Sequence, residues 1–314
     1  MPKVPTSRTD DAQFREWQAA HPCPCAEFDS LIGSAAGKTM AVFLDYDGTL
    51  TPIVSDPDAA VMSARAREAV AALAALFPTA IVSGRSRAKV ESFVRLRSLF
   101  YAGSHGMDIV GPSAGPGAGG APPVSFQPAA AFAPLMARVI EELRAAVRPF
   151  AGTSVEDNTF CLSVHFRNAS PDDFPRLLAA VEGCVAGHRG ELRLTRGRKV
   201  LEVRPQLDWD KGAALLHLLE SMALRDAERV FSIYIGDDRT DEDAFKALAR
   251  HGLGAGILVS TCRKETAASW CLAGPDMVLT FLERLVQWGR TPANLWHEVR
   301  ACSGWHIGDN AGAD

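Results

Sequence analysis

The sequence predicts an α/β fold: a parallel sheet with helices on both faces, interrupted by a smaller α+β insert. Three observations lead there. Short apolar runs ended by turn residues alternate with helical periodicity in both the first and the last third of the chain. In the middle, Cys161, Ser163, His165 and Arg167 alternate with Leu162, Val164 and Phe166, as an antiparallel sheet buried on one face requires. Between these regimes lies a Gly-, Ala- and Pro-rich stretch, 111–128, which reads as a loop.

In chain order, one helix is expected through Phe14 to Ala20 within a mixed, polar start. Met40–Asp45 is a fully buried strand: short, apolar and followed by turn residues. Ser63 is the expected N-cap of a helix running to Leu76. A strand at Thr79–Ser83, a helix at Ser86–Val94 and a strand at Leu99–Gly103 continue the alternation. The insert holds helices at about 130–147 and 171–186, and strands near 153–155, 160–166, 192–195 and 199–203. After Pro205 the α/β rhythm resumes. It gives a helix at Lys211–Met222, a strand at Phe231–Gly236, a helix at Asp241–Arg250, a strand at Gly256–Val259 and a helix at Pro275–Trp288.

Composition narrows the function classes. With 314 residues the chain has room for two cores. A net charge of −4 and the lack of a lysine-rich tract argue against a nucleic-acid scaffold. No apolar run approaches the roughly 18 residues that span a bilayer, and the first 30 residues lack the apolar centre of a secretory signal. Seven scattered cysteines suggest free thiols in a reducing compartment. His21-Pro22-Cys23-Pro24-Cys25 is short of the four ligands a zinc site wants. Gly33-Ser-Ala-Ala-Gly37-Lys38-Thr39 imitates a phosphate-binding loop, but it has too few residues between its glycines and precedes a strand instead of following one.

Four segments carry chemistry. Asp45-Tyr46-Asp47-Gly48-Thr49 leaves the C-terminal end of a buried strand, where open α/β sheets place their sites. Two carboxylates stand two residues apart, and Gly48 lets backbone N–H groups approach an anion closely. Gly236-Asp237-Asp238-Arg239-Thr240-Asp241-Glu242-Asp243 also follows a buried strand. Five acids within seven residues call for a cation, and hard oxygen ligands suit Mg²⁺. A helix N-terminus accounts for the last three acids and less well for Asp237 and Asp238. Ser83, before Gly84 and a helix, can meet a phosphoryl oxygen. Lys211 opens a helix against the dipole, which implies an anionic neighbour.

In order and type, these segments resemble the motifs of the haloacid dehalogenase superfamily of phosphotransferases. That family has an α/β, Rossmannoid core with a parallel sheet, and one of its classes carries an α+β cap where this insert lies. Tyr101-Ala-Gly-Ser-His-Gly-Met-Asp108, Phe160-Cys-Leu-Ser-Val-His-Phe-Arg167, Gly197-Arg-Lys-Val-Leu-Glu-Val-Arg-Pro205 and Gly236-Asp-Asp-Arg-Thr-Asp-Glu-Asp-Ala-Phe245 resemble the plant type of trehalose-6-phosphate phosphatase. The similarity spans roughly Phe14 to Trp288.

The resemblance implies an N-terminal extension over 1–38, a catalytic core over 39–108 and 206–290, a cap over 109–205 and a tail over 291–314. It implies Asp45 as nucleophile, Asp47 as general acid and base, and Ser83 and Lys211 on the phosphoryl group. Mg²⁺ would be held by Asp45, the backbone carbonyl of Asp47 and Asp237, with Asp241 or Asp238 acting through water or orienting Lys211. Arg198, Lys199 and Glu202 are the first candidates to read the sugar, then His165 and Arg167. Ser104, His105 and Gly106 are placed at substrate or hinge, and Gly48 and Thr49 beside the phosphate. The expected partner is trehalose 6-phosphate alone, without nucleic acid or membrane, on a cytoplasmic monomer; plastid and nucleus stay open. The rival readings are a phosphatase for sucrose 6-phosphate or another sugar phosphate, a phosphomutase, and a non-catalytic sugar-phosphate sensor.

Overall fold

The computed structural model describes residues 8–54, 56–112, 124–197 and 199–291. Helices α1 (Arg8–Ala20) and α2 (Phe28–Gly33) lead into β1 (Thr39–Leu44). Then α3 (Ala64–Ala74), β2 (Thr79–Val82), α4 (Arg87–Val94) and β3 (Phe100–Gly103) alternate, followed by β4 (Asp108–Val110) and β5 (Ser125–Phe126). The middle contains α5 (Ala133–Val147), β6 (Ser154–Asp157), β7 (Leu162–His165), α6 (Phe174–Ala186), β8 (Leu192–Gly197) and β9 (Val200–Pro205). The last third contains α7 (Lys211–Ser221), β10 (Val230–Gly236), α8 (Asp241–His251), β11 (Gly254–Val259), β12 (Trp270–Leu272) and α9 (Pro275–Gly289).

Local chemistry sets the helix ends. The Ser63 hydroxyl accepts the Ala66 N–H at 3.1 Å and starts α3. Asp210 does the same for α7 through the Ala213 N–H at 2.8 Å. Helix α8 begins with three acids, ends with Arg250 and His251, and stops at Gly252 in the left-handed region, an arrangement matched to its dipole.

The large sheet has the order β12-β11-β10-β1-β2-β3-β4-β5. It is parallel from β12 to β3 and antiparallel at the β4 and β5 edge. Both faces are covered, which explains the unbroken apolar run of β1. Val42 and Leu44 join a core with residues of α2, α3, α4 and α9. Ala41 and Phe43 join the opposite core with α7 and α8. The four-stranded sheet, β6-β7-β9-β8, is antiparallel throughout. One of its faces packs Leu162, Val164, Leu201 and Val203 against α5 and α6, leaving the other toward the C-terminal edge of the large sheet.

The turn before β1 follows the end of α2, as expected of the false phosphate loop. Four elements went unread: α2, β4, β5 and β12. All are short, with too few residues to display a period. Residues from 109 were assigned to the insert, yet β4 pairs with β3, β5 pairs with β4, and the two extend the large sheet. A Gly- and Pro-rich stretch marks a loop, but it does not say which sheet its flanks join. Among the described residues, no helix is long and apolar enough to cross a membrane.

Candidate active site

Strands β10, β1 and β2 are adjacent and parallel, with Leu44 beside Ile235 on one side and Ile81 on the other. Their C-terminal ends therefore deliver Asp237, Asp45 and Ser83 to one edge of the sheet, and the Asp45 N–H is fixed by the Ile235 carbonyl at 2.9 Å. The start of α7 brings Lys211 to the same place. Its Nζ lies 2.6 Å from Asp45 Oδ1 and 2.7 Å from Asp241 Oδ1. The Tyr234 hydroxyl donates to Asp241 Oδ1 at 2.9 Å, and the Asp238 N–H donates to Asp241 Oδ2 at 2.9 Å. Asp45, Lys211 and Asp241 are 5%, 2% and 0% exposed, so these are charges in a dry setting, where hydrogen-bond geometry decides their state.

Two glycines permit the close approach. Gly48 has φ +83, and a Cβ there would meet the Asp237 carboxylate at 2.4 Å. A Cβ on Gly236 would meet the Asp241 carboxyl carbon at 2.2 Å. Gly48 lets the acidic loop lie against the Asp45 loop, and Gly236 lets Asp241 fold back against the end of β10.

The electrostatics ask for more positive charge than Lys211 supplies. Burial pushes Asp45 well above the usual carboxylate range, against the pull of Lys211 and with help from Asp241 and Asp237. Burial, then Asp241 and Asp238, raise Asp237 to about 7. Burial alone would discharge Lys211, but Asp241 and Asp45 outweigh it and hold the ammonium charged. Oxygen atoms of Asp45, Asp237 and Asp241 lie within 4.8 Å of one another. A hard divalent cation such as Mg²⁺ fits this donor set and would relieve the crowding. Asp45 and Asp237 have the freer oxygens. Both Asp241 oxygens already accept hydrogen bonds, which suits it to orienting Lys211.

A cleft of about 390 Å³ opens above this floor. From the core it is lined by Asp45, Asp47, Arg85, His105, Lys211, Asp237 and Asp238, and from the insert by Ser154, Asn158, Ser163, His165, Arg167 and Glu202, among others. Gly48, Thr49, Ser83, Ser104 and Gly106 sit behind that lining. The Ser83 hydroxyl accepts the Arg85 N–H at 3.2 Å and keeps its own hydrogen to donate. Thr49 is fully buried, and its hydroxyl finds no partner among the described residues. Ser104, His105 and Gly106 are three consecutive left-handed residues, with φ of 51°, 56° and 88°. Such backbone costs on the order of 1 kcal/mol or more for each non-glycine residue.

The insert's face pairs its charges with its own strands and with the core. Glu202 Oε1 lies 2.9 Å from His105 Nε2, and Arg204 donates to the other Glu202 oxygen. Burial would raise Glu202, but His105 and Arg204 hold it far below the usual range. Burial, then Arg204, push His105 below its ordinary value, against the pull of Glu202. Cys161 joins this cluster, yet burial holds its thiol protonated, and the Arg204 guanidinium supplies the positive charge a metal would otherwise bring. Lys199 is exposed, with its ammonium 5.8 Å from the Phe166 ring, and does not line the cleft. Arg198 lies outside the described residues.

Two residues of the site were missed from the sequence, and the first ties the insert to the core. Asn158 is 2% exposed; its Oδ1 accepts the Ser86 N–H at 2.8 Å, its Nδ2 reaches Ser163 at 3.2 Å, and its carbonyl accepts from Ser104. Arg85 grips Asp47 with two parallel bonds of 2.6 and 2.7 Å. Its position directly after Ser83-Gly84 was a signal available in the sequence. Asn158, in a turn between two cap strands, offered none.

The trehalose-phosphatase family model matches residues 43–276. The chain belongs to that family. Within the trehalose-phosphatases it is 48% identical to probable trehalose-phosphate phosphatase 4 of Oryza sativa, over 90% of this chain and 76% of the relative. It is 50% identical to trehalose 6-phosphate phosphatase RA3 of Zea mays, over 88% and 78%. Trehalose-phosphate phosphatase B of Arabidopsis thaliana is 47% identical, over 90% and 76%. Among solved structures, a trehalose-6-phosphate phosphatase related protein superposes with a TM-score of 0.66 at 25% identity, covering 79% of this chain and 98% of that one. The C-terminal domain of the Candida albicans trehalose-6-phosphate phosphatase shares the fold, with a TM-score of 0.68 at 24% identity over 82% and 96%. For this trehalose-phosphatase, then, the α/β core and the α+β insert are the family's core and cap.

Proposed function

We propose that this chain hydrolyses trehalose 6-phosphate to trehalose and inorganic phosphate through an aspartyl-phosphate on Asp45, with Mg²⁺ as cofactor. The observation that carries the reading is the buried Asp45–Lys211–Asp241 chain opening onto a cleft roofed by the cap.

An Asp45 oxygen attacks phosphorus, and the bond from phosphorus to the sugar oxygen breaks. Asp47 gives its proton to that oxygen. Asp47 then takes a proton from the water that attacks the aspartyl-phosphate, which restores Asp45 and releases phosphate. Lys211, kept charged by its two aspartates, faces the transferring group, and the Ser83 hydroxyl has a hydrogen to offer it. Mg²⁺, held by Asp45, Asp237 and the Asp47 carbonyl, would offset the repulsion between an anionic nucleophile and a phosphate dianion. Glu202, His165 and Arg167 on the cap face read the sugar hydroxyls, and Arg198 and Lys199 are the further candidates of the cap motif. Cap closure precedes chemistry and opening follows it. The reading includes a cytoplasmic monomer working without nucleic acid or membrane. Its support is a site built from one chain, and free thiols at Cys23, Cys25, Cys161, Cys184, Cys262 and Cys271, which suit a reducing compartment.

The test is phosphate release with Mg²⁺ from trehalose 6-phosphate, sucrose 6-phosphate, glucose 6-phosphate and an aryl phosphate. Strong preference for trehalose 6-phosphate, lost with chelator, is expected. Activity on another ester alone would keep the core chemistry and discard the sugar assignment. No release by folded protein would favour a sugar-phosphate sensor.

A further inference from the structure

Asp47 has to hand over a proton, yet both of its oxygens are occupied by one guanidinium. Arg85 Nε donates to Oδ2 at 2.6 Å and Nη2 to Oδ1 at 2.7 Å. The third nitrogen, Nη1, donates to the Pro57 carbonyl at 2.8 Å. The guanidinium is nearly buried beside the stacked rings of Tyr46 and Phe93, with its carbon 6.0 and 5.4 Å from their centroids. This is a fixed fork and not a loose surface pair. Asp47 cannot present a protonated oxygen to a leaving group until the fork releases at least one of its two bonds.

The guanidinium has another carboxylate within reach, and it belongs to the cap. Glu156, on β6, has its Oε1 4.0 Å from Arg85 Nη1. The same oxygen accepts a hydrogen bond from Lys89 of the core helix α4, and Lys89 also meets Asp58 at 2.7 Å. On its cap side, Glu156 is held through Oε2 by His165 at 2.7 Å. Glu156 thus moves with the cap while facing two core cations. An approach of about 1 Å would bring Glu156 into hydrogen-bond range of Arg85.

We propose that Arg85 is a positioning residue that acts on the reaction through Asp47, and that Glu156 of the cap shares its guanidinium. The seat of the cap on the core then sets the posture of the proton-transfer carboxylate. In the arrangement seen here, with Glu156 still 4.0 Å from Nη1, Arg85 holds Asp47 by both oxygens. With the cap drawn about 1 Å closer over the sugar, Glu156 takes Nη1 from the Pro57 carbonyl, the guanidinium turns, and one Asp47 oxygen is freed toward the leaving group. Proton transfer is thereby coupled to closure over the sugar. This inference rests on the hydrolytic reading above.

The test compares two leaving groups in single turnover, timing sugar or phenol release by rapid quench. A sugar alkoxide needs protonation and a nitrophenolate does not, so a defect routed through Asp47 falls on one substrate only. For Arg85→Lys, release from trehalose 6-phosphate is expected to fall about 100-fold, and from p-nitrophenyl phosphate less than about three-fold. Glu156→Gln should shift the same ratio by about ten-fold. Equal losses on both substrates in the folded Arg85→Lys protein would overturn the proposal, since they indicate a direct grip on the phosphoryl group or a structural role. An unchanged ratio in Glu156→Gln would overturn the part given to the cap. If Arg85→Lys does not fold, Glu156→Gln still decides that part. A double-mutant cycle adds an independent check: in an Asp47→Asn background, Arg85→Lys should cost nothing further, whereas additive losses would refute action through Asp47. Failure of the wild-type protein to release sugar from trehalose 6-phosphate would instead overturn the hydrolytic reading, and this inference with it.

Discussion

The floor of the cleft and the cap face above it are both rich in charge, but their charges are arranged to different ends. On the floor, Asp45, Asp237 and Asp241 crowd within 4.8 Å around a single Lys211. That floor has an excess of negative charge, and burial raises Asp45 and Asp237 against the pull of Lys211. On the cap face, Glu202 is matched by His105 and Arg204, and Glu156 by His165 and Lys89. Those carboxylates are held below the usual range. Under the proposed function, the unbalanced cluster would take a metal and a phosphoryl group, and the balanced one would exchange its hydrogen bonds for those of a neutral sugar at little net cost.

The comparison breaks most visibly at the proposed nucleophile, Asp45. Asp45→Asn is expected to reduce turnover by at least about 10⁴-fold with circular dichroism unchanged. Ordinary turnover would remove the floor from the mechanism altogether. Lys211→Met should follow, with turnover down by about 10³-fold and the urea midpoint lowered by the equivalent of about 3–5 kcal/mol, because two buried carboxylates lose their partner. Gly48→Ala pushes a methyl into Asp237, so the Mg²⁺ concentration for half-maximal activity should rise about ten-fold or more. Glu202→Gln tests the other side: KM is expected to rise about ten-fold while kcat changes by less than about three-fold. A collapse of kcat alone would show that the cap takes part in the chemical step.

The smallest effect concerns pH. Burial would raise Glu156, but hydrogen bonds from His165 and Lys89 outweigh it and hold the carboxyl at about 2, against 4.5 for the unfolded chain. A carboxylate depressed on folding contributes stability above its unfolded value and loses it as pH falls. The stability difference between wild type and Glu156→Gln should therefore be constant above about pH 4.5 and shrink steadily toward pH 2. Urea titrations across that window measure it, and a difference that grows on acidification would contradict the pairing.

The floor was legible in the sequence because its parts are local. A buried parallel strand reads as an unbroken apolar run, and the residue after it lands at the sheet's C-terminal edge. Asp45, Ser83 and Asp237 follow three such runs, and Lys211 opens a helix whose periodicity is plain in the sequence. The edge strands β4, β5 and β12 were not legible, since two or three residues carry no period. The cap face resisted for another reason. Alternation in β7 and β9 identifies which residues leave the cap's core, but not what they meet afterwards. His165 turns to Glu156, Lys199 lies over Phe166, and Asn158 crosses to Ser86 and Ser104.

The sequence by itself determined the α/β class, the capped architecture, the family and the four acidic and basic segments of the floor. Each is written in periodicity or in short motifs whose geometry a single strand-to-loop transition fixes. The tertiary structure decided which helix end would neutralise which carboxylate, that Arg85 would hold Asp47 by both oxygens, and that Glu156 would face Arg85 from the cap. Those pairings join residues 38 and 71 positions apart. Charged side chains across such distances choose partners only after two sheets have been packed face to edge, when burial makes an unpaired charge too costly to keep.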